Sequence, residues 1–519
     1  MIQKFGFDFA DFYVAFSDLR FAFRIVTFEN VFGIDPDRVA VTRVSRGIRV
    51  EADGLRYAGG QRKEEGSFSA ELRREGDTLT FQATGRHQHD IKGLSILIRD
   101  LAKPVAEADE KITCWPSSDL STTAYPEIET ETGRVAVLPD SAAPRYRRWC
   151  VYREYSGNHV FNLSEDNGSQ VRSATMSGSK WRLLLPGDSE GAKDLWYGML
   201  ERDIGLQAWS DRPDVPCWFR QISLVLNMHC EGWSGYVFNT FERQLQILKW
   251  IAERIDGRQV LLYLPGWDGR YYWNYPIYEP SEACGGAAAL HRLVDGAHKL
   301  GMHVAPMFGA VASNYTNTRT LHLEPAVSRM QLGIPEICDW TDWDEDLSTD
   351  PIWQALNLGE VTFREHMLNR ISWVTDTFGT DGAMLDISGW MPRDPENDLL
   401  DGLSRLIESL HNRYEEYLIF GENGCDLHLP LFPLFQHGAH LPHDHPFHRY
   451  CRSAYHLYCG APGQGSTGVY ESGHNPFVPP EVDLAAIPTL AIVQDTLPEH
   501  QAELEAALVT SKEWAERWL

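Results

Sequence analysis

The sequence predicts an α/β protein: a (β/α)8 TIM barrel over residues 206–519, preceded by an N-terminal antiparallel β-sandwich domain over residues 1–205. Three observations predict it. The first is a change of rhythm. Up to about residue 205 the chain runs in short β-rich stretches between turn residues; from about 216, apolar strands alternate with helical periodicity. The second is length. At 519 residues the chain exceeds one ordinary domain, and its last roughly 300 residues have room for eight strand–helix units. The third is the lack of a Gly-rich phosphate loop after the first strand of the alternating region, which argues against a doubly wound open sheet.

The sandwich strands follow from alternation of apolar and polar positions, as half-buried antiparallel strands require. They are FRIVTFENVFG (23–33), RVAVTRVSRGIRVEA (38–52), SFSAELRREGDTLTFQATG (67–85) and LSILIRDL (94–101). RVAVLP, WCVYREY, HVFNLSED and KWRLLLPG continue the pattern to residue 187. Helical periodicity is scarce there, and one or two packed sheets are expected.

In the second region, 222–228 (ISLVLNM) reads as a strand and 241–255 as a helix with apolar residues at helical spacing. A strand at 260–264 (VLLYL) and a helix at 287–300 follow, with Gly301 placed to end that helix. The third strand is 304–308. A helix over 363–378 leads to the fourth, 382–386, a short apolar run after an Asp-Gly turn signal. A helix over 399–414 precedes the fifth, 417–420. Strands six to eight are expected at 433–436, near 468–470 and at 489–493, with a closing helix over 499–519.

The formal net charge of -26 argues against nucleic acid or an anionic membrane as a partner, since both need a basic footprint. No apolar run has the length of a signal peptide or a membrane span. The nine cysteines are odd in number and include no CxxC pair, so free thiols and a cytoplasmic location are expected. A homo-oligomer is compatible with the sequence. No cofactor is called for.

The candidate chemistry lies at strand ends. In a parallel barrel the carboxyl ends of the strands carry the active site. Strand four ends in Asp386 and strand five in Glu422. Two carboxylates on neighbouring strands would face one cavity, which suits glycoside hydrolysis: one attacks the anomeric carbon, the other protonates the leaving oxygen and then activates water. Asp386 would be the nucleophile, held ionised by Arg270 or Arg393, and Glu422 the general acid/base. The alternative for Asp386 is a helix cap or a structural ion pair. Strand two leads into LPGWDGRYYWNYP, with Trp267, Asp268, Arg270, Tyr271, Asn274 and Tyr275; strand three leads to Ser313 and Asn314. Of these, Trp267, Asp268, Arg270, Asn274 and Asn314, together with Trp390 and His437, are the candidate substrate-binding residues. Trp267 and Trp390 offer flat faces for a sugar ring, or equally packing at the rim.

The stretches DGAMLDISGW and FGENG resemble strands four and five of retaining α-glycosidase barrels of the α-amylase and endo-α-N-acetylgalactosaminidase families. There an Asp ends strand four as nucleophile and a Glu ends strand five as acid/base, and Asp386 and Glu422 match those positions. FGTDGAMLD is also similar to α-glucosidase and α-galactosidase barrels, which take their acid from strand six. The resemblance implies an α-linked carbohydrate substrate and retention by double displacement. Two departures weigh against a starch-type substrate: Met384 stands where α-amylases have Arg, and only Asp495 approaches their strand-seven motif.

Two further features compete. Residues 437–448 (HGAHLPHDHPFH) carry five His and Asp444, and would serve a metal-dependent hydrolase or lyase, although the spacing matches no zinc pattern. Residues 341–350 (TDWDEDLSTD) carry five acidic side chains, a calcium loop or a solvated one. A third reading is a carbohydrate-binding barrel without catalysis, since fold alone does not choose a chemistry.

Overall fold

A computed structural model describes residues 11–76, 78–101, 104, 112–117, 120, 122–154, 157–232, 235–270, 272–336, 353–422, 424–455 except 438–440, 485–492, 497 and 501–519. The chain forms two compact units. One takes residues up to Ser117, Thr122–Leu206 and Cys425–Leu427; the other takes Ser118–Ser121, Gln207–Gly424 and His428 onward.

The first unit is an antiparallel β-sandwich. One sheet runs Thr113–Trp115, Arg147–Arg153, His159–Asp166, Ile91–Arg99, Leu19–Thr27, Val31–Ile34, Leu55–Tyr57 and Arg62–Glu64 in spatial order. The other runs Glu127–Thr130, Gly133–Pro139, Trp181–Leu184, Thr78–His87, Gly66–Glu75, Gly47–Ala52 and Val39–Val44. Alternation decides which side chains meet. Phe21 and Phe23 of the first sheet lie 5.7 and 4.9 Å from Phe81 and Phe68 of the second, centroid to centroid. A helix over Ala192–Ile204 follows the last sandwich strand. Its apolar pattern is interrupted by Gly198 and by the charged run at 201–203, so the sequence reading passed over it.

The second unit is the barrel. Its strands are β1 (Leu224–Asn227), β2 (Val260–Leu264), β3 (His303–Gly309), β4 (Gly382–Asp386), β5 (Leu418–Glu422), β6 (Leu434–His437), β7 (Arg452–Tyr455) and β8 (Thr489–Ala491). Each pairs in parallel with the next from β1 to β7, β8 pairs with β1, and a parallel bridge from Ala454 to Ile487 joins the β7 and β8 stretches. β1, β2 and β4 are buried along their whole length, which explains their unbroken apolar runs. Strand seven was expected near 468–470, which lies outside the described residues; the strand that follows β6 is Arg452–Tyr455, too short and too polar in sequence to stand out.

Capping residues set the helix starts. Thr240 accepts from the Arg243 N–H and opens α1 (Phe241–Ala252). α2 (Gly286–Lys299) and α3 (Val361–Phe378) precede β3 and β4, and Glu360 caps α3. Asp398 accepts from Leu400 and Asp401 to open α4 (Leu399–Arg413), so that cap is Asp398 and not Asp386. α5 (Gln501–Trp518) closes the chain. Among the described residues no helix is long and apolar enough to cross a membrane.

Candidate active site

Register and alternation place the two carboxylates. Tyr263 on β2 points into the barrel, where its hydroxyl lies 2.9 Å from the Met307 sulfur on β3 and its ring 5.8 Å from Phe420 on β5. Met384 on β4 is registered with Met307 and with Phe420, and so shares that inward face. Side chains two residues on share a face. Asp386 and Glu422 therefore face inward at the carboxyl ends of adjacent strands. Asp386 is 5% exposed; Glu422 is half-buried.

The turn after β4 ties them together. Ile387 sits at φ 58°, a conformation that a β-branched residue rarely adopts. Its N–H donates to Glu422 Oε2 at 3.0 Å. Ser388 Oγ accepts from the Glu422 N–H at 3.0 Å and donates to the Glu422 carbonyl at 3.2 Å, and Gly389 N–H donates to the same carbonyl. A Cβ on Gly421 would collide with Ser388 Oγ and the Phe432 ring, so glycine is required for this lacing. On the other side, Tyr275 Oη donates to Asp386 Oδ2 at 3.3 Å.

The remaining candidates separate into several kinds. Asp268 is 3% exposed, and among the described residues neither carboxyl oxygen has a hydrogen-bond partner. Burial first, and the Glu231 charge second, push its pKa up to about 8, so it is largely neutral at pH 7. Trp267 is corrected by its surroundings: it is fully buried, its indole N–H donates to the Met307 carbonyl at 2.8 Å, and neither ring face is open to a sugar. Asn274 Nδ2 donates to the Asp268 carbonyl at 2.8 Å, closing the loop that holds it. Asn314 Oδ1 accepts from the Thr316 N–H at 2.9 Å and caps a short helix. Arg270 lies 4.7 Å over the Trp273 ring, and the charge of Arg393 acts on Glu336. Trp390 is half-buried, edge-on to Trp353 at 6.5 Å, and Trp353 stacks on Tyr272 at 5.9 Å. His437 ends β6, but its side chain lies outside the described residues.

Within 437–448, His445 Nδ1 accepts from the Phe447 N–H and caps a 3-10 turn. His448 Nε2 donates to the Pro442 carbonyl at 3.0 Å, and burial pushes its pKa down to about 4, so it is neutral at pH 7. The segments 341–350 and 468–470, with Asp495 and His440, lie outside the described residues. Sequence reasoning did not assign Tyr275, Ile387 or Gln436 to the site. Gln436 is 5% exposed and registered opposite Glu422, so its place was legible once β6 was located. Tyr275 stands among the residues that follow strand two in the sequence, but its contact with Asp386 depends on a loop returning to a strand 111 residues away.

Comparison with known proteins adds the following. No family model matches the chain, and no curated protein matches it in sequence. Among solved structures it is similar to the alpha-N-acetylgalactosaminidase NagBb from Bifidobacterium bifidum in complex with GalNAc (TM-score 0.63, 13% identity, covering 98% of this chain and 93% of that one). It is also similar to the alpha-galactosidase from Lactobacillus brevis (TM-score 0.50, 9% identity, 96% and 73%). A third is the GH36 alpha-galactosidase AgaA from Geobacillus stearothermophilus in complex with raffinose (TM-score 0.50, 10% identity, 96% and 76%). At these identities the likeness shows the fold: this chain shares the sandwich-and-barrel architecture of these structures.

Proposed function

We propose that this protein is a glycoside hydrolase that cleaves an α-linked sugar by retaining double displacement, with Asp386 as nucleophile and Glu422 as general acid/base. The observation that carries the reading is the pair of inward carboxylates on adjacent strand ends, joined by the Ile387 N–H that follows one and binds the other. In the first step an Asp386 oxygen bonds to the anomeric carbon as the glycosidic C–O bond breaks, and Glu422 gives its proton to the leaving oxygen. In the second, Glu422 takes a proton from water, and the hydroxide displaces Asp386 with the original configuration restored. The structurally similar enzymes act on α-galactosides and α-N-acetylgalactosaminides, so these are the first substrates to test. Asp268, largely neutral, would donate a hydrogen bond to a sugar hydroxyl, and Trp390, backed by Trp353 and Tyr272, would meet an apolar ring face. Arg270 and His437 complete the proposed substrate contacts. Asn274 and Asn314 would act by fixing the loops.

The test is turnover of aryl α-glycosides by wild type, Asp386→Asn and Glu422→Ala. Wild type is expected to hydrolyse at least one, and Asp386→Asn to lose at least roughly a thousandfold in kcat. Glu422→Ala should regain turnover of an activated aryl substrate when azide is added, yielding a glycosyl azide of retained configuration. Undiminished turnover in a folded Asp386→Asn protein would sink the assignment.

A further inference from the structure

The geometry points to Tyr275 as the positioning residue of the nucleophile: its hydroxyl, fixed by a seat on β3, orients the Asp386 carboxylate and stabilises its charge. This rests on the glycosidase reading above and deepens it.

The first observation is the contact itself. Tyr275 Oη lies 3.3 Å from Asp386 Oδ2, and the tyrosine is fully buried. A phenol here has one role toward a carboxylate, that of donor. Burial holds the Tyr275 hydroxyl well above its usual range, and the Asp386 charge adds to the effect, so the donor stays protonated across any working pH.

The second observation is how little freedom the hydroxyl has. Gly309, the last residue of β3, is registered directly opposite Asp386. A Cβ on Gly309 would overlap the Tyr275 ring, so the missing side chain is the seat the ring occupies. The Tyr275 carbonyl accepts from the Asn314 N–H at 3.0 Å and from Asn317 Nδ2 at 2.9 Å. The neighbouring Tyr278 Oη donates to the Gly309 carbonyl at 3.0 Å, and Tyr278 lies 5.6 Å from the Tyr275 ring. The ring is thus seated at the end of β3 and the backbone tied to the stretch that follows it, and the strand beside β3 ends in Asp386. A donor held in this way needs no reorganisation as charge on the carboxylate changes.

The consequence is directional. In the resting enzyme Asp386 is charged; once bonded to the anomeric carbon it is an ester. A donor that favours the charged form keeps the nucleophile ionised and supports its departure in the second step, when the charge returns. The titratable groups facing Tyr275 are Asp386, Asp268, Tyr278 and Tyr272. Of these only Asp386 receives its hydrogen bond.

The experiment is Tyr275→Phe, which keeps the ring in its seat and removes only the donor, read beside wild type and Asp386→Asn on one aryl glycoside. kcat is expected to fall roughly 10- to 100-fold, the range for one hydrogen bond to a charged group. KM should stay within about threefold, because the lost interaction concerns the nucleophile and not the bound sugar. The acidic limb of the pH profile should move up by about one pH unit, since removing a donor favours the protonated carboxyl. Gly309→Ala, which unseats the ring, should move the same limb in the same direction. A Tyr275→Phe protein with wild-type kcat and wild-type pH profile overturns the proposal while leaving the glycosidase reading intact, provided Asp386→Asn is inactive. A kcat loss with an unmoved profile and a matching drop in Tm also overturns it, as a structural role. A wild type without turnover of any glycoside overturns both.

Discussion

Asp268 shows what a single buried carboxyl does to stability. In the unfolded chain it ionises near pH 4; in the folded barrel it keeps its proton to about pH 8. The folded state therefore binds more protons across that window, and stability falls as pH rises through it, by about 1.4 kcal/mol per pH unit from this group. Asp268→Asn replaces the neutral acid with a neutral amide of similar shape and has no proton to hold. Relative to wild type, the variant is expected to gain roughly 3 kcal/mol between pH 5 and pH 7, as read by urea unfolding at the two pH values. A difference that does not change with pH would mean that the folded barrel holds Asp268 ionised, and its proposed role as a donor to a sugar hydroxyl would go with it. The residue scale is also where the sequence was least legible. That Asp386 and Glu422 end adjacent strands could be read, because a strand end is a local feature. The fates of Trp267, Asn274 and Asn314 could not: each bonds to backbone, to Met307, Asp268 and Thr316 respectively. A polar or aromatic residue after a strand reads the same whether it faces a ligand or holds a loop.

At the scale of elements, apolar runs bounded by breakers gave β1 to β6 and β8 close to their observed limits, because parallel strands are buried on both faces. The connections were harder. After β5 and after β6 the chain turns back through short 3-10 segments rather than long helices, so the strand–helix rhythm fades where the later strands lie. Arg212 holds those connections together. It is 3% exposed, and its guanidinium donates to the carbonyls of Leu429 (2.6 Å), Pro430 (3.2 Å), Phe432 (3.4 Å) and Tyr450 (3.4 Å) while pairing with Asp214. One planar fork thus fixes the stretch entering β6 and the stretch entering β7. Arg212→Ala would leave four carbonyls short of a donor and the Asp214 charge unpaired, a loss of about 3–5 kcal/mol. Arg212→Lys should recover only part of it, since an ammonium cannot span the same set of acceptors. Urea midpoints of the two variants test this; a loss under about 1 kcal/mol for the alanine variant would show that the carbonyls find other donors.

At the scale of the whole molecule, the division into two units is not a single cut in the sequence. Cys425–Leu427 follow β5 in the chain but belong to the first unit. Asp426 is bonded within that unit: the Trp196 indole N–H, from the helix Ala192–Ile204, donates to its Oδ2 at 2.8 Å. Trp196 is in turn set edge-on to Trp115 at 5.8 Å. No reading of a linear sequence could see this, since a three-residue excursion has neither periodicity nor a composition of its own. Burial pushes the Asp426 pKa up to about 7, against which the Trp196 bond is the opposing influence. Trp196→Phe keeps most of the ring and removes that bond, leaving a buried carboxyl oxygen without its donor at a loss of about 1–3 kcal/mol. Asp426→Leu alone strands the indole N–H, at a similar loss. Replacing both removes the donor and the acceptor together, and a pair of apolar groups of similar shape can be nearly neutral where either single change is not. The double variant is therefore expected to be more stable than the sum of the single losses implies, by about 1–2 kcal/mol in a double-mutant cycle on unfolding. Simple additivity would mean that Trp196 and Asp426 are neighbours without being partners, and that shape alone keeps the excursion in the first unit.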